Sequence, residues 1–107
     1  MFEDCKTLAK IDLSNIDTSN VLNMKYMFQN CYDLTSLVLS LFDTSSTTDM
    51  NTMFNGCTSL IALYFENINM CSVTRLSNMF FNIIKLEYVN IRNYIPSKNL
   101  GSPYYFN

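Results

Sequence analysis

The sequence predicts an α/β solenoid, and three observations carry that prediction. The chain repeats itself every 26 residues, the repeated positions are apolar, and each repeat passes from a two-residue hydrophobic alternation to wider, helix-like spacing. The expected architecture is a right-handed stack of about four coils, each a short parallel β-strand followed by a short helix or helical turn. The coils are expected at residues 1–26, 27–52, 53–78 and 79–95, with residues 96–107 forming an irregular ending or partial cap.

The repeat is read without a gap. Met1-Phe2, Met27-Phe28, Met53-Phe54 and Met79-Phe80 open the units, and Cys5, Cys31, Cys57 and Ile83 follow. Further columns are Leu8, Leu34, Leu60 and Leu86, then Ile11, Leu37, Leu63 and Val89, then Leu13, Leu39, Phe65 and Ile91, then Ile16, Phe42, Ile68 and Tyr94. A unit this short cannot bury its own hydrophobic face, so neighbours must stack and share one core. The Met-Phe columns recur in phase with leucine, which reads them as core packing rather than as a soft binding surface.

Within the second unit, Leu37 and Leu39 fall on one face and Ser36, Val38 and Ser40 on the other, the alternation of a strand. The equivalent strand of the first unit is expected at residues 11–13. Asp17-Thr18-Ser19 and Asp43-Thr44-Ser45-Ser46 are residue types that cap helix starts, and Val21, Met24, Met27 and Phe28, like Thr47, Met50, Met53 and Phe54, follow at helical offsets. Asp17 and Asp43 lack the dense carboxylate spacing of a calcium loop, so capping or turn formation is expected there. In the third unit Asn69 replaces the aspartate and Cys71 the serine, which weakens the cap. The fourth unit departs at Tyr94-Ile95-Pro96. Pro96, Gly101 and Pro103 break further regular structure, and Tyr104-Tyr105-Phe106 would fold back over the last coil.

A formal charge of −2 with 15% charged residues gives neither a basic footprint for nucleic acid nor an acidic tail. Scarce Gly and Pro with abundant Asn, Ser and Thr fit polar turns whose side chains bond their own backbone. Cys5, Cys31 and Cys57 form one column and Cys71 stands apart, with no zinc-type spacing and no histidine anywhere. These thiols read first as small buried hydrophobes; disulfides between coils or metal binding are the other readings, and no metal site or cofactor is expected. Glu3, Asp4 and Lys6 after Met1 do not make a leader peptide, and no apolar run approaches the ~18 residues of a membrane helix. The chain opens in phase with its repeat and so reads as a piece of a longer array. No Asn-x-Ser/Thr acceptor occurs, which leans toward a bacterial source or an unglycosylated compartment.

The string L-x-x-L-x-L followed by S-N-x-D-T-S-N-V-x-N-M-x-x-M-F-x-x-C, present as Leu8 to Leu13 (with Ile11 at the middle leucine) and then SNIDTSNVLNMKYMFQNC, resembles the BspA-like leucine-rich-repeat surface proteins. The likeness runs to about Tyr94, strongest in the first two units and looser after Asn67. It implies a leucine-rich-repeat solenoid displayed on or secreted by bacteria or microbial eukaryotes, of the kind discussed as adhesins. That family is defined by repeats rather than by a catalytic site, so it implies no active residue.

An intrinsic functional surface is expected on the outward row of the sheet: Lys10, Asp12 and Ser14; Ser36, Val38 and Ser40; Ala62, Tyr64 and Glu66; Tyr88, Asn90 and Arg92. These positions differ between units while the inward columns do not, and repeat proteins bind through such faces. Tyr64 and Tyr88 supply the large rigid contact area found at interaction centres. A merely solvated face is the plain counter-reading. The function expected is therefore non-enzymatic adhesion or protein interaction with a protein or cell-surface ligand. A structural spacer within a longer surface protein is the alternative. A Cys- or Ser-dependent hydrolase is opposed by the missing histidine, by the absence of G-x-S-x-G or a phosphate loop, and by inward thiols.

Overall fold

The computed structural model describes residues 2–90 and 92–93. Three short strands, β1 (Ser36–Val38), β2 (Ala62–Tyr64) and β3 (Tyr88–Asn90), form a parallel sheet in the order β1-β2-β3. Its register steps by one repeat, aligning Leu37 with Leu63 and Leu63 with Val89. Leucine at the central position of β1 and β2 is driven inward and is almost wholly buried. Val89, expected in the same inward column, is 39% exposed on β3, the last strand in the sheet order.

Among the described residues there is no α-helix, and where a short helix or helical turn was expected the chain runs as a series of turns. The destination of the backbone amides explains why. Alternate N–H groups cross to the next repeat: Met24 to the Asp49 carbonyl at 2.8 Å, Tyr26 to Asn51 at 3.1 Å, Phe28 to Met53 at 2.9 Å and Asn30 to Asn55 at 2.8 Å. Amides interleaved with these close four-residue turns, Met27 onto Met24, Gln29 onto Tyr26 and Cys31 onto Phe28. One repeat on, Met50, Thr52, Phe54 and Gly56 donate in the same way to Arg75, Ser77, Met79 and Phe81. A helix needs those amides for its own i→i−4 bonds. Positive φ at Tyr26, Asn30, Thr52, Gly56, Asn78 and Asn82 closes the turns and excludes a helix, since left-handed residues occur singly and not in helical runs.

Asp17 and Asp43 accordingly cap no helix. Each carboxylate accepts from the backbone and hydroxyl of the serine two residues on, at 2.9 and 2.7 Å for Ser19 and at 2.9 and 2.6 Å for Ser45. These are Asx turns. Asn69 keeps the backbone bond, from Cys71 at 2.9 Å, without the hydroxyl partner. Residues 11–13, expected as the first strand, are not a strand. Asp12 bonds the backbone and hydroxyl of Ser14, and such local bonding competes with a ladder.

The interior is built from the repeated columns. Leu34, Leu39, Leu60, Met50, Met53 and Phe65 are fully or almost fully buried, each contributing about 1.5–3 kcal/mol by leaving water. Phe2, Phe28, Phe54 and Phe80 run through it as stacked rings, with centroids 5.5, 5.8 and 5.6 Å apart in order. Met1, Ile91 and Tyr94, and the ending expected over residues 96–107 with Tyr104-Tyr105-Phe106, lie outside the described residues.

Candidate interaction face

On the outward side of the sheet, the register places Ser36 beside Ala62 and Ala62 beside Tyr88, then Val38 beside Tyr64 and Tyr64 beside Asn90. The rings of Tyr64 and Tyr88 meet at 5.3 Å between centroids with a tilt of 49°. Tyr88 is 49% exposed, Val38 is 53% exposed, and Ser36, Ala62 and Tyr64 are half-buried. Two aromatic rings held by adjacent strands present contact area that loses little side-chain freedom on binding.

Beyond the tyrosines the same strands lead into a polar cluster. Glu66 Oε1 accepts from Asn90 Nδ2 at 2.8 Å and lies 3.8 Å from Arg92 Nη2, while Asn90 Oδ1 accepts from the Arg92 backbone N–H at 3.2 Å and from its Nε at 3.4 Å. Asn90, expected as an outward contact residue, is buried at 8% exposure. Its amide holds the carboxylate and the guanidinium in place, so it supports the face instead of presenting to a partner. A signal for this pairing was present in the chain: Glu66 and Arg92 occupy the same column one repeat apart with opposite charges. An exposed ion pair of this kind adds at most about 1 kcal/mol to stability, so its value lies in orienting charge.

Lys10 and Asp12 are exposed but sit on the first repeat, outside the sheet. The Ser14 hydroxyl and backbone amide together hold the Asp12 carboxyl below its ordinary range. The structure therefore brings Tyr64, Glu66, Tyr88 and Arg92 together with Val38 alongside, and leaves Lys10 and Asp12 apart.

Elsewhere two buried thiols are tied to the neighbouring repeat. The Cys31 and Cys57 thiols donate to the Phe2 and Phe28 carbonyls at 3.1 and 3.0 Å. Burial pushes them up to about 11 and about 12, which keeps them protonated and unreactive at neutral pH. Cys71 is exposed and Cys5 half-buried. Among the described residues no group of three or more His, Cys, Asp or Glu side chains is placed to hold a metal ion, and no helix is long and apolar enough to cross a membrane.

Sequence reasoning missed a polar seam. Thr18 and Thr44 are buried, and each hydroxyl both donates to and accepts from the backbone of the next repeat: Thr18 with Asp43 at 3.0 and 2.9 Å, Thr44 with Asn69 at 2.8 and 2.9 Å. The recurrence of threonine between Asp and Ser in the first two units was the available signal, and Met70 ends it in the third.

No curated protein and no solved structure matches the chain. A family model described as Mycoplasma protein of unknown function, DUF285, matches residues 1–98. Because that match takes in both turn ladders and the whole parallel sheet, the chain belongs to the DUF285 family.

Proposed function

We propose that this chain is a non-enzymatic interaction module, a right-handed solenoid of leucine-rich-repeat type similar to the BspA-like surface proteins. It acts at the cell surface or as a secreted protein, and binds a protein or cell-surface ligand through the outer face of its sheet. The observation that carries this reading is the joined pair of Tyr64 and Tyr88, flanked by the oriented Glu66 and Arg92. The paired rings stabilise the sheet by up to about 1 kcal/mol on their own, and aromatic residues with arginine are also the groups that dominate binding energy where proteins meet. The inward columns repeat leucine, methionine and phenylalanine, and the outward row changes chemistry from repeat to repeat, which fits a scaffold carrying a specific surface.

The test compares beads coated with the chain and with a Tyr64→Ser/Tyr88→Ser variant for retention on immobilised host-cell surfaces, after confirming equal thermal melting. Saturable retention that drops about tenfold or more in the variant supports the reading. Equal retention of the two, or none above bare beads, overturns it in favour of a spacer, whose performance depends on length and stiffness alone.

A further inference from the structure

Among the described residues the inter-repeat ladder lapses beside β1, beyond the bond from the Thr35 N–H to the Ala9 carbonyl at 3.3 Å. Leu39 N–H donates to the Tyr64 carbonyl at 2.8 Å and Phe65 N–H to the Asn90 carbonyl at 2.7 Å, yet the equivalent bond from Leu13 to Val38 is not made. The edge of β1 that faces the first repeat is thus left without the strand partner that β2 has on both sides. A groove of about 290 Å³ opens at this break, walled by Ile11, Leu13, Val38, Leu41 and Phe42, with Asp12 at its rim. Two of the walls are exposed to a degree unusual for large aliphatic side chains, Val38 at 53% and Leu41 at 69%. The columns that hold Leu41 elsewhere carry Asn15 and Asn67, so the apolar rim is particular to this groove.

From this geometry we infer that the groove receives an extended peptide strand of a partner protein, with an aliphatic or aromatic side chain seated among the five apolar walls and a lysine or arginine beside it against Asp12. Three features choose this occupant. The Leu13 amide and the open β1 edge offer main-chain groups of the kind that a peptide backbone satisfies by adding a strand. Five of the lining side chains are aliphatic or aromatic, which suits an apolar side chain of the peptide rather than a polar one. The rim charge is the Asp12 carboxylate, held ionised by Ser14, which favours a cationic neighbour and disfavours an acidic one. The inference rests on the interaction-module reading and names the partner chemistry for the groove beside that face, which Asp12 and Val38 line.

The test titrates the isotope-labelled full chain with an acetylated, amidated Thr-Leu-Lys-Leu-Thr peptide and with its Glu-for-Lys counterpart, following backbone amide shifts. The expected result is saturable perturbation confined to residues 11–14 and 36–42 with the lysine peptide, at least about tenfold weaker binding of the glutamate peptide, and a similar loss in Leu41→Asn. Asp12→Asn should narrow the difference between the two peptides while leaving aliphatic binding in place. Leu41 is exposed, so its variant is expected to melt like the parent. Absence of saturable shifts, equal binding of both peptides, or unchanged binding in Leu41→Asn overturns the inference. The Tyr64→Ser/Tyr88→Ser variant separates the two readings: it should bind the peptide normally, and loss of peptide binding there assigns the peptide to the tyrosines and overturns the groove.

Discussion

A single hydroxyl joins adjacent repeats at Thr44. It is 1% exposed, and it satisfies both the carbonyl and the amide of Asn69. Valine has the same shape but neither bond, so Thr44→Val leaves two backbone groups without partners at about 1–3 kcal/mol each when fully buried. A loss of about 2–4 kcal/mol in urea denaturation is expected, with Thr44→Ser retaining most of the stability. Thr48→Val, which removes an exposed hydroxyl bonded to the Leu22 carbonyl at 3.1 Å, should cost less than about 1 kcal/mol. Equal losses at the two positions would remove the special role of the seam.

Cys31 and Cys57 set the alkaline limit by a different route. Their thiols are held above the ordinary value of 9.0, at about 11 and about 12, mainly by burial. The unfolded chain releases these protons first, so their contribution is complete below about pH 9 and is lost as pH climbs toward those raised values. The measurement is the denaturation midpoint from about pH 8 to about pH 11, with part of the decline expected to vanish in Cys31→Ala/Cys57→Ala. At the acid end the sign reverses. The hydroxyls of Ser19 and Ser45 hold Asp17 and Asp43 below 3.8, so that contribution is present above this value and fades as pH falls through it.

The turn that replaces the expected helix is the element with the strictest demands. Asp4, Asn30, Gly56 and Asn82 share one column and all have positive φ. Asparagine and aspartate tolerate that conformation because their short side chains bond locally, and Asn30 Nδ2 does reach Asp4 Oδ1 at 2.9 Å. At Gly56 (φ 81°) an added Cβ would come within 2.5 Å of Asn30 Oδ1. Gly56→Ala therefore combines left-handed strain of about 1–2 kcal/mol with displacement of the Asn30 amide, and a drop in thermal midpoint is expected, together with a far-ultraviolet dichroism spectrum that lacks a helical signature in parent and variant alike. A helical spectrum would contradict the turn ladder.

This element also marks where sequence reasoning stops. The alternation around Leu37, Leu63 and Val89 locates the strands because inside and outside are decided by immediate neighbours. Met24, Met27 and Phe28 were equally legible as buried residues, yet their spacing fits either a helix or a chain of turns. What decides between those two is whether an amide bonds within its own segment or to a carbonyl 25 residues away, which no local pattern encodes. The candidate site divides likewise: Tyr64 and Tyr88 follow from the column, whereas the burial of Asn90 depends on how Glu66 and Arg92 close around it.

On the scale of the molecule, cohesion is a sum over neighbours, because nearly every ladder and ring contact joins one repeat to the next. The second and third repeats have partners on both sides. The first is tied to the second by the Phe2, Asp4, Met24 and Tyr26 amides, by the Thr35 and Thr48 amides and by Thr18, but not along residues 11–13, and it has a partner on one side only. Hydrogen exchange should follow this gradient, slowest at Phe28, Leu39, Phe54 and Phe65 and fastest in the first repeat. Ring deletions extend the argument. Phe54 lies mid-stack, 5.8, 5.6 and 5.9 Å from Phe28, Phe80 and Phe65, so Phe54→Ala is expected to cost about 3–5 kcal/mol. That is a large share of the about 5–15 kcal/mol available to a domain of this size, and it should accelerate exchange on both sides of the break. Phe2 has one ring neighbour and is only half-buried, so Phe2→Ala should accelerate exchange in the first repeat and leave Leu63 and Phe65 protected. If instead both variants speed exchange uniformly from Phe2 to Val89, the chain opens as one cooperative block and the nearest-neighbour account is wrong.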